Sequence, residues 1–108
     1  MRIRSSGMVY AVDWTPGEVL DELAEDRFVG RTVHMENRIV ISSRAPESRQ
    51  REALIHELVH VVDDGYKIGM TEKQVSRFSR GLFALLMENP SAMRYVVAGK
   101  RPKKKKHG

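Results

Sequence analysis

The sequence predicts an α+β fold, a small antiparallel sheet of about three strands packed on helices, and three observations lead there. First, short runs rich in β-branched and aromatic residues stand at 8–13, 31–35 and 38–42. Second, helix start and stop signals bracket two long segments in the C-terminal half. Third, 108 residues with 41% hydrophobic and 31% charged content suit one domain with a single modest core.

The elements follow in order. MVYAVD at 8–13 has strand character, with apolar and polar positions interleaved. Thr15, Pro16 and Glu18 read as N-cap, first helical position and capping partner of a helix ending near Asp26, with Val19, Leu20 and Leu23 as its apolar stripe. Two short strands are expected at 31–35 and 38–42, joined by a hairpin turn at Glu36-Asn37, because Asn tolerates a positive φ. Pro46 opens the next helix. Its early part, 48–52, is polar and expected to be exposed. From Ala53 it is apolar nearly all round, the pattern of a buried helix. Asp63-Asp64-Gly65 should end it, with Gly65 in the left-handed cap. A loop over 66–70 leads to a second helix from Thr71 to about Glu88, whose core stripe is Val75, Phe78, Leu82, Leu85 and Leu86. Asn89-Pro90 stops it, and a short helical or irregular piece covers 91–98.

Composition bounds the function. The chain has no cysteine, so it has neither disulfides nor a thiolate metal site. No stretch approaches the ~18 apolar residues of a membrane-spanning helix. The basic start, Met1 to Gly7, leads into no apolar signal core, and the expectation is a cytoplasmic protein. The net charge of +5 belongs to the end of the chain: the six cations at 100, 101 and 103–106 exceed it by one, leaving a nearly neutral body. Residues 1–99 are therefore expected to form the domain and residues 100–108 a disordered basic tail. Such a tail attracts nucleic-acid phosphates without reading sequence, but no aromatic residue is interleaved for base stacking, so a solvated tail is the simpler reading.

The chemistry lies inside the buried helix. His56-Glu57-Leu58-Val59-His60 reads H-E-x-x-H. Histidines four apart share one helix face and can share a Zn²⁺. Glu57, between them, can act as general base on a water whose pKa the metal lowers, as that water attacks a polarised peptide carbonyl. An accidental motif would bury two histidines and a carboxylate among apolar residues at a cost of several kcal/mol, on the order of the desolvation of unpartnered polar groups.

A site of this type needs a third protein ligand. Glu72, at the start of the next helix and beyond a loop with Gly65 and Gly69, is the chosen candidate. A first-turn glutamate that only favours the helix dipole is the plain alternative. Gln74 is a rival that a capping box with Thr71 would explain without a metal. Asp64 is a further possible ligand, and Asp63 or Asp64 could instead orient His60 from behind. His34, Tyr66 and Tyr95 are candidate donors to a developing oxyanion.

With these residues in view, the chain resembles the small ImmA/IrrE-like metallopeptidases of bacteria and their phages over about residues 32–90. The resemblance rests on RIVIS at 38–42, a polar helix start, ALIHELVHVVDD at 53–64, the 65–69 loop, TEKQV at 71–75 and GLFALLMENP at 81–90. It implies a zincin-like fold, His56 and His60 as zinc ligands, Glu57 as base and a downstream Glu as third ligand, matched here to Glu72. Larger members carry that Glu in an E-A-x-x-F-A-like context, which falls here on residues 74–79 with Gln74 in the ligand position. Some members cleave transcriptional regulators, so the implied partner is a protein or peptide substrate. Zincins also lay an edge strand above the motif helix, for which 31–35 or 38–42 are the candidates. Two other function classes remain open: a zinc-stabilised binding or regulatory protein without hydrolysis, and a nucleic-acid accessory protein acting through its tail.

Overall fold

The computed structural model describes residues 1–16 and 29–103. The helix expected from Thr15 to Asp26 lies almost wholly outside the described residues, as do the last five residues of the basic tail. Among the described residues the order is β1 (Arg2–Ser5), β2 (Met8–Thr15), β3 (Gly30–Val33), a 3-10 turn (His34–Glu36), β4 (Arg38–Ser42), α1 (Glu47–Tyr66), α2 (Glu72–Glu88) and α3 (Pro90–Ala98). The α+β class holds. The sheet, however, has four strands rather than about three, in the order β1-β2-β4-β3. It is also mixed, not antiparallel: β2 and β4 run parallel, while β1–β2 and β3–β4 are antiparallel.

The added strand comes from a hairpin at the start of the chain. Ser6 and Gly7 both adopt positive φ, 51° and 79°, and join β1 to β2 through a two-residue turn. Turns with two left-handed residues match the twist of paired strands. The second connection is longer than expected. His34–Glu36 form a 3-10 turn and Asn37 alone takes the left-handed conformation, with φ 50°.

Register decides which side chains meet the helices. Val12 pairs with Ile39 and Trp14 with Ile41, while Gly30 and Thr32 of β3 sit opposite Ile41 and Ile39. Because side chains alternate along a strand, all of these lie on one face. Tyr10, Val12, Ile39, Ile41 and Val61 of α1 form the buried cluster, with Leu54 and Leu58 of α1 packed on it.

α1 crosses this face and comes close at β3. A Cβ at Gly30 would stand 3.3 Å from Ala53 Cβ and 3.4 Å from Glu57 Cγ, so the absence of a side chain there admits the helix. Gly65 does the same at the other end. It is helical rather than the C-cap, and its Cβ would lie 2.6 Å from Ser6 Oγ in the first hairpin turn. Lys67 supplies the left-handed cap instead, with φ 52°.

Burial is less complete than the apolar pattern suggests. On α1 only Glu57, Val59 and Val61 are buried, and Val62 is 43% exposed. On α2 Val75 is buried, but Phe78 and Leu85 are about half exposed. α2 packs chiefly against α1, and a single neighbouring helix covers only a narrow line of its surface. That line passes through Val75 and Ser79, one turn apart. α3 is a full helix with Pro90 in its first turn and Gly99 as its left-handed cap.

Candidate metal centre

Three elements converge beside the β3 edge. α1 carries His56, Glu57 and His60, α2 begins with Glu72, and β3 presents Thr32. The link between α1 and α2 is fixed by Asp63, whose Oδ1 accepts from the backbone N–H groups of Gly69 and Met70 at 2.8 and 2.9 Å. Thr71 then starts α2 with a full capping box. Gln74 N–H donates to Thr71 Oγ1 at 3.1 Å, and Thr71 N–H donates to Gln74 Oε1 at 2.8 Å. The chain therefore reverses tightly, and the next residue after the cap, Glu72, is turned back toward α1.

The result is a compact donor set. His56 Nε2 lies 3.0 Å from Glu72 Oε1, and His60 Nε2 lies 3.0 Å from Glu72 Oε2. The imidazole rings meet edge-on with centroids 4.9 Å apart. One ligand atom from each of His56, His60 and Glu72 falls within 4.8 Å of the others, and among the described residues no other group of three or more His, Asp or Glu converges so closely. Two imidazole nitrogens and a carboxylate oxygen are a donor set that Zn²⁺ accepts, and three ligand atoms around one point leave room for a fourth. The residues fit such an ion.

Glu57 stands beside this set with different support. It is buried, and Thr32 Oγ1 donates to its Oε1 at 2.9 Å. Burying a carboxylate is costly without such a donor. The hollow in front, about 350 Å³, is lined by Gly30, Arg31, Thr32, His34, His56, Glu57, His60 and Glu72. A small, polar-walled opening along a sheet edge results.

Other sequence candidates fall elsewhere. Gln74 is spent in the capping box and faces an apolar hollow rather than the histidines. Asp63 ties the loop, and Asp64 Oδ2 lies 3.8 Å from His34 Nδ1. Neither of these contacts is with His60. His34 lines the hollow from the 3-10 turn, whereas Tyr66 and Tyr95 are well exposed and do not line it. Of the two edge-strand candidates, β3 is at the edge next to Glu57 and β4 is an inner strand. Sequence reasoning missed Thr32 and Ser79. Ser79 could have been noticed, because it sits four residues after Val75, where the helical stripe calls for an apolar side chain.

The model of the IrrE N-terminal-like domain, Peptidase_M78, matches residues 20–87, well over half of the chain and all of the converging side chains. The chain belongs to this family. The family is metallopeptidase-like, and the histidine–glutamate group agrees with metal dependence. No curated protein and no solved structure matched the chain. No helix among the described residues is long and apolar enough to cross a membrane.

Proposed function

We propose that this family member is a zinc-dependent metallopeptidase that hydrolyses a peptide bond, with His56, His60 and Glu72 as metal ligands and Glu57 as general base. The observation that carries the reading is the meeting of His56 Nε2 and His60 Nε2 on the two oxygens of one carboxylate, with a second, separately held carboxylate alongside. A metal that only stabilised the fold would have no use for Glu57 there.

When bound, Zn²⁺ would supply a polarised water and a Lewis acid for the substrate carbonyl. The chain's own residues do the rest. Thr32 occupies one oxygen of Glu57 and so leaves the other free to take a proton from water and return it to the leaving amine. β3 is the outer strand of the sheet among the described residues, and such an edge can offer main-chain groups to an extended peptide. His34, on the wall of the same hollow, is placed to donate to the carbonyl oxygen as charge develops. We place the activity in the cytoplasm, in keeping with a chain free of cysteine.

The test measures zinc content and peptide hydrolysis together in the wild type and in Glu57→Gln. The reading predicts about one zinc per chain in both, as expected for a three-ligand site, and hydrolysis reduced by roughly 10²–10⁴-fold in the variant. Undiminished hydrolysis in Glu57→Gln, or a wild type that takes up no zinc, would overturn it.

A further inference from the structure

Ser79 is a polar side chain buried to 1% exposure in the line where α2 meets α1. Its hydroxyl oxygen contacts three groups. The Val75 carbonyl, one turn earlier, is very close; the Ser76 carbonyl is at 3.4 Å; and His56 Nδ1 is at 3.3 Å. A hydroxyl has one hydrogen to give, and carbonyl oxygens can only accept. Ser79 Oγ–H donates to the Val75 carbonyl one turn back, the bond that a serine inside a helix commonly makes. Toward His56 the Ser79 oxygen can then only accept, so Nδ1 must carry the proton. A proton on Nδ1 leaves the Nε2 lone pair free when a metal displaces any proton from that nitrogen, and Nε2 is the atom facing Glu72 and His60.

We propose that Ser79 is a positioning residue for the metal centre. It relays the Val75 carbonyl to His56 and fixes both the ring orientation and the tautomer in which Nε2 is the ligand. The inference rests on the metal-centre reading above and extends it to a residue on a second helix. Histidines that bind metals commonly donate their other N–H to a carboxylate, carbonyl or water. Here a serine stands between the ring and a backbone carbonyl. Burial matters to this role, because the packed α1–α2 contact leaves little room for water to replace the hydroxyl. It also accounts for a polar residue in a stripe that packing alone would fill with alanine or leucine.

The experiment is competitive zinc titration of the full chain with a chromophoric chelator, for the wild type, Ser79→Ala, Ser79→Thr and His56→Ala. It is paired with ¹H–¹⁵N spectra of the zinc-loaded wild type and Ser79→Ala that resolve imidazole N–H groups. Ser79→Ala should weaken zinc binding by roughly 10–100-fold, the usual scale for losing such an outer partner, with the helical circular dichroism unchanged. The Nδ1–H resonance of His56 should be protected from exchange in the wild type and lost to exchange in Ser79→Ala. Ser79→Thr, which keeps the hydroxyl, should recover part of the affinity. Wild-type affinity together with a protected Nδ1–H in Ser79→Ala would overturn the proposal while leaving the metal centre standing. A wild type that binds zinc no better than His56→Ala would sink the metal centre and this proposal with it.

Discussion

Two hollows flank α1, and they differ in kind. On one flank Ile55, Leu58, Val59 and Val62 border an open apolar hollow of about 800 Å³ with Phe78 and Leu82 of α2. On the other, His56, Glu57 and His60 face a hollow less than half that size. The larger one has walls that would serve many apolar surfaces equally and fix the orientation of none. In the smaller one, the four converging side chains each have a partner from another element: Thr32 on Glu57, Glu72 on both histidines, Ser79 on His56. Chemistry needs groups held at defined distances, and only hydrogen-bonded neighbours supply that. The difference teaches that volume is a poor guide to function in this molecule. The smaller hollow is the candidate site because its walls are joined by polar contacts.

Substitutions on the two flanks should separate them. The largest effect is expected from His60→Ala, which removes a proposed ligand from a partly buried position on α1; zinc uptake measured by metal analysis should fall to background. Next comes Thr32→Val. It keeps the shape at the β3 edge but strips Glu57 of its donor, so hydrolysis should fall by about tenfold with zinc content unchanged, the scale of one hydrogen bond to a charged group. The smallest effect is expected from Phe78→Ala on the apolar flank. Phe78 is 54% exposed, so its removal should shift stability by about 1 kcal/mol or less in denaturant melts and leave both zinc content and hydrolysis alone. A Phe78→Ala variant that lost zinc would break the comparison, because the two flanks would then be coupled through α2.

The contrast also explains what could be read from the sequence. His56, Glu57 and His60 were legible because helix geometry alone puts the two histidines on one face with the glutamate beside them. Glu72 was readable as a candidate for a similar local reason: it lies three residues before Val75, beside the stripe that faces the core. What was not legible depends on distant partners. The parallel pairing of β2 with β4 joins residues some 27 positions apart and leaves no local mark. The first hairpin did leave one, a Ser6-Gly7 turn, but β1 is short and reads as a basic lead-in. Gly65 looked like a helix terminator because glycine commonly is one; its actual constraint is the Ser6 side chain, brought in by the hairpin. Thr32 and Ser79 are ordinary residues in a strand and a helix until tertiary packing sets them against Glu57 and His56.

The measurement that tests the central claim most directly is X-ray absorption at the zinc edge of the metal-loaded chain, beside Glu72→Ala. The account predicts only nitrogen and oxygen neighbours at roughly 2.0–2.2 Å, with outer-shell scattering from two imidazoles and one protein carboxylate lost in the variant. A first shell containing fewer than two imidazoles, or one unchanged by Glu72→Ala, would contradict it.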